Sequence, residues 1–133
     1  MSFHGPLEDR LAIRELVDRY SDAVSRFDLA VWETLWAEDG EWELMGNHLR
    51  GAEAIHDFWK AVLGSLEFVF FQAQPVAVDI SGDRATGRVL VAETLKPKNG
   101  DRRVVQATYD DTYTKRDGEW RFQTRRHHVL SDF

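Results

Sequence analysis

Three turn dipeptides in the second half of the chain do most to limit its fold. Gly82-Asp83, Asn99-Gly100 and Asp117-Gly118 each lie between runs rich in strand-forming residues. Such dipeptides supply the backbone conformations a tight hairpin needs, so each marks a reversal between antiparallel strands. Four strands are therefore predicted, near 67–80, 85–96, 102–115 and 119–130. The first half has a different period. Ile13, Leu16, Val17, Tyr20, Val24 and Phe27 recur at helical spacing over 8–27. A second helix is expected from the N-cap Asp28 to about Trp36, and a third over 52–63, with Trp42 opening a short extended segment between them. Three helices followed by a meandering antiparallel sheet make an α+β domain with the helices on one face. A chain of 133 residues suits a single domain, 1–133.

Composition excludes several classes. A net charge of −6 argues against an electrostatic grip on nucleic acid or anionic membrane. No apolar run approaches membrane-spanning length, and the first residues lack the pattern of a signal peptide. The absence of cysteine removes disulfides and thiolate metal sites and fits a reducing compartment, so a cytoplasmic protein is expected. His4, His48, His56, His127 and His128 show no ligand spacing with carboxylates, and no phosphate loop or dinucleotide fingerprint is present. Neither a metal nor a cofactor is expected.

Register decides which side chains share a face. With two-residue loops at all three turns, Gln72 faces Glu93, Glu93 faces Gln106, Asp110 faces Arg125 and Thr108 faces His127. One face then carries Phe70, Gln72, Val91, Glu93, Gln106, Thr108, Asp110, Arg125 and His127. The other carries Phe71, Val105, Tyr109, Tyr113, Trp120 and Phe122. Two arrangements fit this sorting. Either the apolar face lies under the helices and the polar one in water, or the polar face walls a pocket roofed by the helices. In the second case a partner chain buries the apolar face, giving a homo-oligomer (dimer or trimer) through the open sheet face. A bulge in any strand would flip part of it.

The order of motifs resembles the SnoaL-like branch of the nuclear transport factor 2-like superfamily. The resembling pieces are Leu11–Leu16 with Arg19-Tyr20, Phe27-Asp28, Leu35–Gly40, Gly51–Ile55 with Phe58, Ala85–Arg88, Tyr109–Asp111 and Gly118–Phe122. The resemblance implies a cone-shaped α+β fold in which a curved sheet wraps a pocket closed by the helices. It also implies a cofactor-independent proton-transfer enzyme whose acid–base work is done by an Asp–His pair. Here the family Asp falls on Ser25 and the family His on Phe70, while the family Tyr falls on Tyr20. Serine without a base accepts no proton at neutral pH and phenylalanine transfers none. The chemistry has then moved to other residues, or the pocket only binds.

Glu93 and His127 are the candidate acid–base groups. Burial between Val91 and Leu95 would lift the Glu93 carboxyl towards the useful range, and imidazole is the natural shuttle near neutrality. Tyr20, central in the stripe of the first helix, is the candidate hydrogen-bond donor. Arg125 is expected to pair with Asp110 and to serve an anionic oxygen. Ser25, Trp36, Phe70, Gln72, Val91, Gln106 and Thr108 complete the expected pocket lining, with some of Trp32, Trp42 and Trp59 in its hydrophobic wall. The leading expectation is a lyase or isomerase (dehydration or cyclisation) acting on a small, largely apolar, cyclic molecule. A non-catalytic small-molecule binding module is the alternative, and a protein-interaction domain using the apolar sheet face is the third.

Overall fold

A computed structural model describes residues 2–132. The elements are β1 (Phe3–His4), α1 (Leu7–Ser25), α2 (Leu29–Glu33), β2 (Trp36–Leu44), β3 (Asn47–Arg50), α3 (Ala52–Ser65), β4 (Leu66–Ser81), β5 (Arg84–Pro97), β6 (Arg103–Arg116) and β7 (Glu119–Asp132). Among the described residues the strands form one sheet in the order β1-β4-β5-β6-β7-β2-β3. The three helices pack on one face of this curved sheet, the α+β cone expected from the order of the motifs.

Helix α1 turns the predicted stripe inward. Ile13, Leu16, Val17, Tyr20 and Val24 are all buried. It ends sooner than its periodicity predicts, because Phe27 adopts a φ of 58° and is exposed. Asp28 caps α2 as expected, its Oδ1 accepting the Val31 amide hydrogen bond at 3.1 Å. That helix is only five residues long, and Trp36 opens β2 instead of closing a helix. The Phe122 amide donates to the Leu35 carbonyl at 2.9 Å. A tertiary hydrogen bond thus draws the chain into the sheet, where β2 runs parallel to β7. The β2–β3 hairpin escapes sequence reading. Its turn is Met45-Gly46, with φ of 49° and 81°, and a methionine is an uncommon residue for that conformation.

The β4–β7 meander forms as predicted, but its faces do not sort as predicted. The turns at Gly82-Asp83 and Asp117-Gly118 are two-residue turns, closed by Ser81 opposite Arg84 and Arg116 opposite Glu119. Away from those turns, bulges shift the register. The extra residue Val76 in β4 places Phe71, not Gln72, opposite Glu93. The extra residue Gln123 in β7 places Asp111, not Asp110, opposite Arg125. The third connection does not close at Asn99-Gly100. The Lys98 amide donates to the Ser65 carbonyl at the end of α3 (2.9 Å), and Glu93 falls opposite Val105 rather than Gln106.

A one-residue slip carries a whole strand to the other face. Phe71, Val105, Tyr109, Tyr113 and Phe122 therefore lie buried under the helices, with Glu93, Arg125 and His127 on the same side. Phe70, Gln72, Gln106, Thr108 and Asp110 lie on the opposite face, and all but Thr108 are exposed. The aromatic set offered for burial against a partner chain is thus already covered within the chain. The outer face exposes Phe70, Leu90, Val104 and Leu130 among its apolar groups.

Candidate active site

Helices and sheet enclose a cavity of about 390 Å³. Its roof is Tyr20 and Val24 from α1 and Phe58, Trp59 and Val62 from α3. Its side wall comes from Trp42, Leu44, Met45 and Asn47 on the β2–β3 hairpin. Its floor is Phe71, Glu93, Leu95, Val105, Tyr109, His127 and Val129 from the four long strands. Arg103 and Asp132 also line it and form an ion pair, Nε to Oδ1 at 3.2 Å. A mainly aromatic wall with few polar groups suits a small apolar ligand.

Glu93 is the one carboxylate set into the floor among the described residues, where its cross-strand neighbours are Phe71 and Val105. Burial raises its carboxyl to about 7, against the opposing pull of the Arg103 charge. A carboxyl in that range exchanges a proton readily near neutrality. His127 stands beside Tyr109, ring centroids 5.0 Å apart. Burial, then the charges of Arg125 and His128, lower the His127 imidazole below its ordinary range. Its Nδ1 is buried and has no hydrogen-bond partner among the described residues. His128 points outward to Asp110, at 3.3 Å.

Behind this floor lies a buried ion pair. Arg125 Nε donates to Asp111 Oδ1 at 2.8 Å and a terminal nitrogen donates to Oδ2 at 3.1 Å. The Tyr113 hydroxyl donates to the same carboxylate at 2.8 Å. The guanidinium carbon sits 3.8 Å from the Tyr109 ring centroid, 4.5 Å from Tyr20 and 4.2 Å from Phe122. Burial works against the Arg125 charge, but Asp111 keeps it firmly protonated. Burial likewise raises the Tyr20 and Tyr109 hydroxyls, and Arg125 opposes the rise in both. Both tyrosines stay neutral donors at physiological pH. Trp42 Nε1 donates to the Tyr109 oxygen at 3.0 Å.

Of the residues predicted from sequence, Tyr20, Glu93 and His127 meet at the cavity. Arg125 does not line it and lies against the Tyr20 and Tyr109 rings instead. Trp36 is buried in the core among Tyr20, Trp32, Trp42 and Phe122. Val91 is buried in the core and likewise outside the lining. Ser25 is a strap. Its Oγ accepts from the Phe71 amide at 2.8 Å and lies 3.3 Å from the Phe71 carbonyl, fixing the end of α1 to β4. Phe70 points out, and the inward neighbour Phe71 is equally unable to transfer a proton. Gln72, Gln106, Thr108 and Asp110 lie on the far side of the sheet. Sequence reasoning missed Phe71, Tyr109, Arg103 and Asp132. Only the true register reveals them; Trp42 and Trp59, expected in the hydrophobic wall, do line the cavity.

A bulged, mostly antiparallel sheet wrapped round an apolar chamber and lidded by helices defines a cone-type α+β protein. The chain belongs to the SnoaL-like domain family, whose model matches residues 5–126. It is 30% identical over 126 residues to the gamma-hexachlorocyclohexane dehydrochlorinase of Sphingobium indicum, covering 88% of this chain and 80% of that protein. Its fold is similar to that of a scytalone dehydratase candidate from Novosphingobium aromaticivorans, with a TM-score of 0.89 at 19% identity over 96% of this chain and 87% of the other. It is also similar to the hexachlorocyclohexane dehydrochlorinase LinA-type3 of Novosphingobium barchaimii, with a TM-score of 0.84 at 21% identity over 96% and 90% of the two chains. These structural likenesses establish the nuclear transport factor 2-like fold. Among the described residues no helix is long and apolar enough to cross a membrane.

Proposed function

We propose that this protein is a cofactor-independent enzyme of the lyase or isomerase type. It would move a proton on a small, largely apolar, cyclic molecule held in the cavity. The observation that carries the reading is Glu93, a carboxyl raised to about 7 by burial in the floor of an aromatic chamber. Ionised Glu93 takes a proton from a ring carbon. The C–H electron pair forms the new double bond as a leaving group departs from the adjacent carbon, either as a halide ion or as a hydroxyl that takes up the proton from Glu93 and leaves as water. In an isomerisation or cyclisation, the same proton returns to another atom of the substrate. Tyr20 and Tyr109 hydroxyls donate to an oxygen on which charge develops, and the Arg125 charge behind their rings makes them better donors. Neutral His127 is the second proton-carrying group. The dehydrochlorinase named among the relatives supports the elimination class.

One observation favours the alternative, a small-molecule binding module. The positions that bear the proton-transfer pair in the resembling family hold Ser25, tied to a backbone, and a phenylalanine. Turnover separates the two. Gamma-hexachlorocyclohexane and a panel of hydroxylated bicyclic ketones are incubated with the protein, and products are followed by mass spectrometry. Glu93→Gln is expected to lower turnover by about 10²-fold or more. Full turnover in that variant rejects the role of Glu93, while tight binding of panel members without any turnover supports the binding module. Self-association through the outer sheet face, around Phe70, Leu90 and Leu130, belongs to the same proposal; light scattering reporting a strict monomer removes it.

A further inference from the structure

Arg103 and Asp132 contribute nothing to the scheme above, yet both line the cavity that holds Glu93. Val105 and Asp132 are cross-strand partners, and Glu93 is the partner of Val105 on its other side. Arg103 therefore stands between two carboxylates on adjacent strands. It is bonded to only one of them, through two contacts to Asp132, from Nε and from a terminal nitrogen. No hydrogen bond joins it to Glu93 among the described residues. We propose that Asp132 is a positioning residue that holds Arg103 off Glu93, so that Glu93 is not drawn into an ion pair with the guanidinium. The proposal deepens the reading of Glu93 as the acid–base group and rests on it.

The physical reasoning is a competition for one cation. An arginine beside a carboxylate holds it ionised and lowers its proton affinity, and a bidentate carboxylate partner neutralises that arginine. Asp132 is partly solvated (side chain 38% exposed) and pairs with Arg103 at a small desolvation cost. Glu93 is largely enclosed, and burial dominates its proton affinity while Arg103 is the one charge among the described residues that pulls the other way. The other titratable groups facing the cavity are Tyr20 from α1, Tyr109 from β6 and His127 from β7. The tyrosines are neutral donors, and His127 is lowered towards its neutral form. Helix α3 and strand β4 present no titratable group to it among the described residues. The balance at Glu93 is thus set by burial on one side and by where Arg103 is held on the other.

The test reads the Glu93 carboxyl directly by carbon-13 NMR titration of the full chain labelled at glutamate, with Glu93→Gln assigning the signal. Asp132→Asn frees Arg103 and is expected to lower the Glu93 midpoint by about one pH unit, a tenfold loss of proton affinity. Arg103→Gln is expected to raise it. Removing the Asp132 charge could also act on Glu93 through space, and the double variant separates the two routes. In the Arg103→Gln background, Asp132→Asn should leave the midpoint where Arg103→Gln put it. An unmoved or raised midpoint in Asp132→Asn overturns the proposal, and so does an equal downward shift in the double variant. The titration needs no turnover, so full turnover in Glu93→Gln would refute the proposed reaction while leaving this pairing to stand or fall on its own midpoints.

Discussion

Asp111→Ala is the most exacting test of how the site is supported. Asp111 and Arg125 are the only buried charged residues among those described, at 2% and 1% exposure. The substitution removes both hydrogen bonds to the guanidinium and the acceptor of the Tyr113 hydroxyl. Arg125 is then a buried cation whose remaining neighbours are three aromatic faces. Such faces attract a cation but do not neutralise it. Breaking one partner out of a buried pair costs about 3–5 kcal/mol. A domain of this kind has roughly 5–15 kcal/mol in total. The loss converts to a melting point lower by roughly 10–20 °C for a chain of this length. Urea unfolding followed by circular dichroism measures the first quantity and a thermal scan the second. Asp111→Leu combined with Arg125→Met should recover most of the loss, because it leaves no orphaned charge. A cost below about 1 kcal/mol for Asp111→Ala, or a double variant no better than the single one, refutes the reasoning.

Two further expectations concern stability. Glu93 is raised to about 7 in the folded protein, above its unfolded value, so the folded state binds the extra proton between about pH 4.5 and 7. Stability from this group is therefore present below that window and is lost as pH rises through it, by up to about 3 kcal/mol. Glu93→Gln should be flat over the same range and more stable than the parent at pH 8; urea midpoints at pH 5 and pH 8 check this, and parallel curves for the two proteins contradict it. Ser25→Ala strips the Phe71 amide of its acceptor, and a loss of about 1–3 kcal/mol is expected with faster amide exchange at Phe71. Unchanged exchange there would mean that the strap does not hold β4.

How much of the site is legible in the sequence depends on which physical signal each residue carries. Tyr20 is readable because helical periodicity needs only local spacing, and α1 buries the expected stripe. Glu93 and His127 are readable because the slip of β4 and β6 leaves β5 and β7 facing the cavity. Gln72, Gln106, Thr108 and Asp110 are misread for the same reason. Their strands are displaced by one residue, and the signal of a bulge is too weak to find in a single sequence. The Lys98 amide illustrates the difficulty. It bonds to the end of α3 rather than across its own hairpin, which no hairpin motif anticipates.

Amino-acid pattern alone determined the three helices and the four-strand meander that follows them, the two tight turns, the Asp28 cap and the cone family, because each rests on interactions between residues near in sequence or on an ordered set of motifs. Tertiary structure alone decided which face of the sheet is covered, that Arg125 pairs with Asp111, and that Arg103 and Asp132 meet at the cavity. Those outcomes turn on single-residue shifts within consecutive hairpins, where no local motif marks the extra residue. The energy difference between one register and the next comes from burying Phe71, Tyr109 and Phe122 together under helices that the strands cannot sense until the chain has folded.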